Sequence, residues 1–222
     1  MKNIEILNCT FDSDAGIVLA INKPINWTSF EVIKKLRHLY SVKKIGHAGT
    51  LDPLATGILL VCIGKKTKLI SNYQSMLKVY EGEMVIGKTT PSIDLETSFD
   101  SEKSWNHIDN NQIFATVNKF VGHIKQIPPI YSAVKINGER AYKIARRGDL
   151  HVIPSEKIVF VESFEIIGVE IPSIQFRITC GKGTYIRSIV RDFGQILGVG
   201  AHLKQLCRTQ IGPFLLKDAI SL

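Results

Sequence analysis

The sequence has little of what marks a secreted or membrane-embedded protein. Its four cysteines, at positions 9, 62, 180 and 207, show no Cys-x-x-Cys spacing, and Cys62 and Cys180 fall in apolar or alternating runs typical of packed, reduced thiols. The longest uninterrupted apolar run, residues 58–63, is far too short to cross a bilayer. The first twelve residues lack the apolar core of a signal peptide. These absences predict a cytoplasmic protein that does not bind a membrane.

Signatures of common hydrolytic and metal chemistries are also missing. The six histidines show no His-x-x-x-His spacing and do not combine with cysteine at ligand spacing, so no metal site is recognisable. No Gly-x-Ser-x-Gly occurs, and a Ser/His/Asp hydrolase would therefore lack its nucleophile elbow. We predict a protein that needs neither metal nor cofactor. No low-complexity tract, repeat or Pro/Ser linker is present, which predicts a single domain over residues 1–222.

Positive charge is what the sequence has in excess. Lysine and arginine outnumber acids by 28 to 20, for a net charge of +8. Many of the basic residues cluster: Lys34, Lys35, Arg37, Lys43 and Lys44; Lys65, Lys66 and Lys68; Arg140, Lys143, Arg146 and Arg147. Such clusters favour a polyanionic partner, but they equally serve to solubilise helix faces. Charge alone does not choose between the two.

Hydrophobic spacing predicts strands and helices mixed along the chain without regular crossovers, which is typical of an α+β fold. The predicted strands are 16–21, 58–63, 79–87, 157–162 and 173–180, with 165–170 of similar character. The predicted helices are 29–40, 66–72, 110–121, 140–147 and 185–197, and the first of them is opened by a Thr28/Glu31 capping box. Residues 91–110 are predicted to be an exposed polar connection.

Residues 82–89 match the phosphate-loop pattern G-x-x-x-x-G-K-[ST] letter for letter. A phosphate loop needs flexible backbone between a strand and a helix. Here Met84, Val85 and Ile86 favour a strand, and Pro91 disfavours a helix that begins near Lys88. We therefore predict that this stretch binds no nucleoside triphosphate.

The segment 46–57, GHAGTLDPLATG, holds one carboxylate, Asp52, in a glycine-punctuated loop before an apolar strand. Gly46, Gly49 and Gly57 allow positive φ or close backbone approach, and Pro53 biases Asp52 toward an extended backbone. An Asp-Pro pair by itself most often begins a turn. The glycines around this pair indicate instead that the carboxylate is presented to a ligand.

Residues 43–69, KKIGHAGTLDPLATGILLVCIGKKTKL, resemble the active-site segment of the bacterial-type tRNA pseudouridine synthase B family. Further matches fall at 22–24, 78–80, 126–135 and 181–187, so the resemblance covers nearly the whole chain. It implies the pseudouridine synthase fold, in which helices flank a mixed, mostly antiparallel central sheet crossed by an active-site cleft. It also implies that the protein isomerises uridine to pseudouridine at position 55, in the T-loop of tRNA, using a flipped-out base.

Asp52 matches the essential aspartate of that family. An ionised carboxylate can attack the sugar or the base, or remove the C2′ proton, and the sequence leaves these routes open. Burial alone would neutralise it, so a nearby cation is required. Arg187 matches the arginine that pairs with the aspartate in the family, although without the resemblance it reads as a solvated helix residue.

Other residues take family roles through the same resemblance. Tyr80 matches the tyrosine that stacks on the target base, and His47 matches the histidine that fills the stack space left by that base. The pocket is further lined by Tyr185 and Leu206, and it is supported by Lys23, Pro24 and Arg208. Each of these residues also has a plain structural interpretation as a packing or loop residue.

The sequence departs from the family in three places. Asn22 replaces an acid before Lys23, residues 90–92 read Thr-Pro-Ser in place of Thr-Asp-Thr, and the chain stops near where many relatives begin a PUA domain. Without that domain we expect RNA binding to be weaker and more salt-sensitive. The expected partner is the T-stem-loop of tRNA, with no DNA and no obligate protein partner, and the expected state is a monomer. The alternative is a tRNA-binding or tRNA-folding module without catalysis.

Overall fold

The computed structural model describes residues 15–222, so Cys9 and the N-terminal residues considered for a signal peptide lie outside the described part. The chain divides into two compact units. The first unit contains the residues up to Tyr80 together with Leu206–Leu222, and the second contains residues 81–205.

The strands and helices alternate irregularly along the chain, as expected for the predicted α+β class. The strands are β1 (Ile17–Lys23), β2 (Ile45–His47), β3 (Ala55–Ile63), β4 (Lys78–Ile86), β5 (Lys88–Thr89), β6 (Ser101–Glu102), β7 (Gly122–Gln126), β8 (Lys135–Ile136), β9 (Glu139–Arg140), β10 (Lys157–Glu170), β11 (Ser173–Cys180), β12 (Ala201–Ile211), β13 (Phe214–Leu215) and β14 (Ile220–Ser221). The helices are α1 (Ser29–Leu39), α2 (Ile70–Ser75), α3 (Asn110–Val117), α4 (Ala141–Arg146) and α5 (Ile186–Ile196), with 3-10 turns at Gly64–Leu69, Asn118–Phe120 and Leu216–Asp218.

In the first unit, β3 is the central strand. It pairs antiparallel with β1 and β2 and parallel with β12, while β14 pairs parallel with the other edge of β1. The side chains of β3 are buried on both faces. Leu59, Val61 and Ile63 belong to the hydrophobic cluster that includes the buried side of α1, whereas Ile58 and Leu60 belong to a second cluster. A strand buried on both faces explains why this stretch is uniformly apolar.

Helix α1 begins where the sequence predicts. The Oγ1 atom of Thr28 accepts the backbone N–H of Glu31 at 3.1 Å, and the Glu31 carboxylate accepts the N–H of Thr28 at 2.7 Å, so the capping box is confirmed. Val32, Ile33 and Leu36 are buried against the sheet. Leu39 is exposed, so the apolar stripe ends one turn earlier than its spacing suggests.

In the second unit, β10 pairs antiparallel with both β11 and β7. The two stretches 157–162 and 165–170 form one long strand, because irregularities near Val161 and Ile166 absorb the breaks in alternation. The core contains four phenylalanine rings whose centroids lie about 6 Å apart: Phe120, Phe164, Phe176 and Phe193. Cys62 in the first unit and Cys180 in the second are buried and not disulfide-bonded, as predicted.

Two sequence-based predictions about the second unit are wrong. Residues 91–110 are not wholly an exposed connection, because Ser92, Ile93 and Asp94 are buried and the carbonyl of Ile93 accepts the N–H of Leu203 at 2.8 Å. The predicted helix 110–121 ends as α-helix at Val117, which leaves Val121 exposed.

The stretch with the phosphate-loop pattern, residues 82–89, lies in β4 and β5, so the predicted strand is confirmed. No helix follows it before α3, which begins at Asn110. Across residues 15–222, none of the helices has the length and apolar character that spanning a bilayer requires.

Candidate active site

Asp52 lies half-buried in the loop between β2 and β3. Ser29 holds this loop from the first turn of α1: its hydroxyl donates to the Leu51 carbonyl at 3.1 Å and accepts the Leu51 N–H at 2.9 Å. The carbonyl of Pro53 accepts the N–H of Asn26 at 2.9 Å. The residues on both sides of Asp52 are thus bonded to one segment, which fixes the backbone that carries the carboxylate.

Gly57, in β3 just after the loop, shows why the segment 46–57 is rich in glycine. Its φ is +99°, and a Cβ atom there would lie 2.2 Å from the carbonyl oxygen of Arg208 on the paired strand β12. Gly49 also has a positive φ, of +105°. The prediction that glycine is needed for positive φ or close approach is confirmed at both positions.

Lys23 is fully buried at the end of β1. Its Nζ atom donates to three backbone carbonyls, those of Pro24 at 2.9 Å, Trp27 at 2.6 Å and Pro53 at 3.2 Å. Burial lowers the pKa of Lys23 from 10.5 to about 8, although the negative charge of Asp52 opposes that change. Lys23 therefore places a buried amine beside the loop that carries Asp52.

Arg208 is a second buried cation, with 1% of its surface exposed. Its Nε donates to the carbonyl of Ile58 at 2.7 Å, Nη2 to the carbonyl of Gly49 at 3.1 Å, and Nη1 to the Tyr80 hydroxyl at 3.3 Å. The guanidinium carbon lies 5.9 Å from the centre of the Tyr80 ring. One side chain thus connects the Asp52 loop, strand β3 and Tyr80.

Leu206 enters the same region through the register of β12. It lies opposite Ala55 in the parallel pairing with β3, two residues before Arg208 lies opposite Gly57. Alternation along a strand turns Leu206 and Arg208 toward the same face. Leu206 and Arg208 therefore lie on the same face of β12, beside the Asp52 loop.

His47 closes β2, five residues before Asp52. Its Nδ1 atom is buried and has no hydrogen-bond partner among the described residues. Burial lowers the pKa of His47, and the positive charge of Arg208 lowers it further, so the neutral ring is favoured near pH 7. A neutral imidazole is a flat ring suited to stacking.

Arg187, on α5 of the second unit, is buried with 2% of its surface exposed. It donates to the carbonyl of Ser92 at 2.9 Å and to that of Tyr131 at 2.8 Å, and its Nε lies 3.7 Å from a carboxylate oxygen of Asp94. The interpretation of Arg187 as a solvated helix residue is therefore wrong. Helix periodicity alone could not reveal this, because the acceptors come from distant loops.

Gln126 is a buried residue whose role sequence reasoning missed. Its side-chain amide donates to the carbonyl of Tyr185 at 3.1 Å and accepts the N–H of Tyr185 at 2.8 Å. It therefore replaces a side-chain cap at the start of α5, where Tyr185 itself provides none. The signal available in the sequence was its position at the head of the QIPPIYSAVK stretch.

The predicted site residues fall into two groups. The first unit contains Lys23, Pro24, His47, Asp52, Tyr80, Leu206 and Arg208, and the second contains Tyr185 and Arg187. Within the first unit, the loop that carries Asp52 is bonded to two buried cations, Lys23 at Pro53 and Arg208 at Gly49, and Arg208 also donates to the Tyr80 hydroxyl. Such a set can hold an anionic nucleophile or base near a planar ligand.

Comparison with known proteins identifies relatives along most of the chain. Residues 37–186 match the family model described as TruB family pseudouridylate synthase (N terminal domain), and residues 187–222 match the tRNA pseudouridylate synthase B C-terminal domain. A protein of Flavobacterium johnsoniae named tRNA pseudouridine synthase B is 49% identical over 214 residues, which cover 93% of each chain. Its namesake in Parabacteroides distasonis is 44% identical and covers 95% of this chain and 92% of its own.

Solved structures also match. A crystal structure of a Cbf5-Nop10-Gar1 complex aligns with a TM-score of 0.73 at 29% identity, over 95% of this chain and 53% of that one. An archaeal box H/ACA Nop10-Cbf5 complex aligns with a TM-score of 0.66 at 25% identity, over 98% of this chain. The chain spans about half the length of the solved chains it matches.

Proposed function

The chain belongs to the TruB family of pseudouridylate synthases, and on that premise we propose that it converts a uridine in the T-loop of tRNA, at position 55, into pseudouridine with Asp52 as its catalytic group. Its fold is the pseudouridine synthase fold predicted from the sequence, and it is an enzyme of that class. The observation that carries the proposal is the Asp52 loop, tethered on both sides and set beside Lys23 and Arg208.

The proposed reaction is an isomerisation. The N1–C1′ glycosidic bond breaks, the uracil turns, and a C5–C1′ bond forms while C5 loses its hydrogen and N1 gains one. Product and substrate have the same composition, so the reaction consumes no oxidant and no reductant. What the protein must supply is a group that assists glycosidic cleavage and a site that retains the freed base.

Asp52 is the proposed group for that step, acting on the sugar, on the base or on the C2′ proton. All three routes use the ionised carboxylate. The buried Lys23 amine lies beside this carboxylate, since its Nζ donates to the carbonyl of Pro53, one residue away. Arg187, buried on α5 beside Asp94, is proposed as a substrate-binding residue.

The other predicted residues are proposed to hold the base and the RNA. Extruding a base from a stack costs a few kcal/mol, so a substitute ring in the vacated space lowers that cost. His47 suits this role because its ring is uncharged near pH 7. Tyr80 is proposed to stack on the uracil, with Arg208 fixing its hydroxyl, and Leu206 and Tyr185 are proposed as further substrate-binding residues.

The partner is the T-stem-loop of tRNA, which also makes the cytoplasm the proposed location. The excess of positive charge supports an RNA partner. A tRNA-folding module without catalysis remains the alternative function. It is distinguished from the enzyme by chemistry at C5, because folding alone leaves the C5–H bond intact.

The test measures release of tritium from an unmodified tRNA transcript labelled at uracil C5. We expect release by the wild type, and a loss of at least about 10³-fold in Asp52→Asn, because that change removes the charge while keeping the shape. Binding of tRNA should be largely retained. Asp218→Asn, an exposed acid in the same unit, is the matched control and should stay within about twofold of wild type.

Two results would overturn the proposal. One is an absence of tritium release from the wild type, which would leave the folding-module alternative. The other is an Asp52→Asn variant as active as the control.

A further inference from the structure

The solvent-exposed side of α1 carries an aromatic ring in line with two cations. Phe30, Lys34 and Arg37 follow one another at i, i+4 and i+7, which places them on one helix face, and all three are exposed. Phe30 is 65% exposed, an unusual state for a phenylalanine. We call these three residues the α1 outer face.

This face begins beside the Asp52 loop. Phe30 directly follows Ser29, whose hydroxyl is bonded to both the N–H and the carbonyl of Leu51. The turn before α1 is also bonded to the loop, through Asn26 and the carbonyl of Pro53. The exposed ring therefore lies on the helical turn that holds the residue next to Asp52.

The surroundings of the face are strongly positive. Residues 15–80 and 206–222 contain twelve lysines and arginines but only three acids, namely Glu31, Asp52 and Asp218. Glu31, the acid next to Phe30, has its carboxylate committed to the N–H and hydroxyl of Thr28 in the capping box. The face therefore favours a ligand that combines negative charge with an apolar surface.

Resting on the proposed function, we propose that the α1 outer face binds an unpaired nucleotide of the substrate RNA close to the target uridine. Phe30 stacks on its base, and Lys34 and Arg37 contact the phosphates that follow it. Stacking on aromatic side chains combined with cations along the backbone is how proteins hold unpaired nucleotides. A protein partner fits less well, because a single ring next to two cations lacks the contiguous apolar core of a protein interface.

The experiment uses the full chain and an RNA stem-loop that carries the target uridine. Phe30→Ala should raise Kd about 5- to 150-fold, the effect of removing one stacked base, whereas Phe30→Trp should keep Kd near the wild-type value. Thermal melting should not change, because the ring is exposed. The matched control is Phe114→Ala, which removes a 51% exposed phenylalanine from α3 in the second unit and should leave Kd unchanged.

The contribution of the two cations on the α1 outer face is tested separately, by the salt dependence of RNA binding. In the double variant Lys34→Ala with Arg37→Ala, the slope of log Kd against log salt should become shallower by about 1.4, or about 0.7 for each phosphate that the protein no longer neutralises. A Kd for Phe30→Ala equal to that of wild type, an equal rise in Kd for Phe114→Ala, or an unchanged salt slope would overturn the inference.

Tritium release by the wild type on the same RNA separates the two proposals. If the wild type releases tritium while Phe30→Ala binds normally, the inference about the face is wrong and the proposed function stands. If Kd depends on Phe30 while the wild type releases no tritium, the face binds RNA as inferred and the proposed function is wrong.

Discussion

The two compact units differ most in how their charges are balanced. The described part of the first unit has twelve lysines and arginines against three acids, a net charge of +9. The second unit, residues 81–205, has fifteen against fourteen, a net charge of +1. Nearly all the excess charge therefore belongs to the unit that contains Asp52.

About half of the cations of the second unit have acidic neighbours. Arg146 pairs with Glu96, Arg147 with Glu139, Arg177 with Glu81 and Glu165, and Lys204 with Glu83. In the first unit, the buried cations Lys23 and Arg208 donate to backbone carbonyls. Carbonyls satisfy the donors without cancelling the charge, so the first unit keeps a positive field that attracts a polyanion.

The largest expected effect is on stability, and it is tested by comparing one glycine from each unit, Gly57 and Gly122, which have almost the same φ. Gly57→Ala should destabilise the protein by about 4 kcal/mol or more, because the new Cβ meets the Arg208 backbone in addition to straining φ. Gly122, with φ +95°, has no atom within 4 Å of a built Cβ, so Gly122→Ala should cost only about 1 kcal/mol. Urea denaturation measures both changes.

Equal losses of stability at Gly57 and Gly122 would show that backbone strain alone decides the cost. The close packing of β12 against the Asp52 loop would then contribute nothing to the need for glycine.

The second prediction contrasts a lysine of each unit. At pH 7, Lys23→Met should destabilise the protein by about 2–3 kcal/mol, because three partly buried carbonyls lose their donor. Lys125 in the second unit is exposed and pairs with Glu156 at 3.3 Å, so Lys125→Met should change stability by less than about 0.5 kcal/mol.

The stability lost in Lys23→Met should also depend on pH. Between about pH 8 and pH 10.5 the unfolded chain keeps the Lys23 proton while the folded protein releases it, so unfolding takes up a proton. Stability of the wild type relative to Lys23→Met should therefore rise with pH across that range, by at most about 3 kcal/mol. A constant difference between the two proteins from pH 7 to 10.5 would mean that burial does not lower the pKa of Lys23.

The smallest predicted effect concerns surface charge. Lys43 and Lys44 lie next to the basic 3-10 turn, since the Lys44 carbonyl accepts the N–H of Gly64 at 2.8 Å. Changing both lysines to Gln should make the salt dependence of tRNA binding shallower by about 1–2 in slope. The same change at Lys88 and Lys125, which pair with Glu102 and Glu156, should alter the slope by less than half as much. Similar slopes in the two double variants would indicate that charge balance does not select the binding surface.

Local patterns predicted the elements that depend on local rules. The capping box located the start of α1, and alternation located β11 over residues 173–180. Strand β10 was divided in the prediction because its irregularities interrupt the alternation, and only pairing with β11 reveals one strand. The burial of Ser92 and Asp94 was missed because polar residues in a loop give no sign of a donor, here Arg187, supplied from elsewhere.

The site was predicted unevenly for a similar reason. The glycines around Asp52 are visible in the sequence, and the positive φ of Gly49 and Gly57 follows from them. The three bonds of Arg208 are not visible, because two of their acceptors are backbone carbonyls brought close by strand pairing. Carbonyls are present at every residue, so no sequence pattern identifies those that a buried cation will bind.

Arg208 has one consequence for how the enzyme should behave in alkali. Its bonds to Gly49, Ile58 and Tyr80 do not involve the Lys23 amine, so they persist when that amine becomes neutral above about pH 8. If deprotonation of Lys23 lowers activity, the loop architecture should therefore stay in place. On return to neutral buffer, activity should recover at the speed of proton transfer, without waiting for the chain to refold.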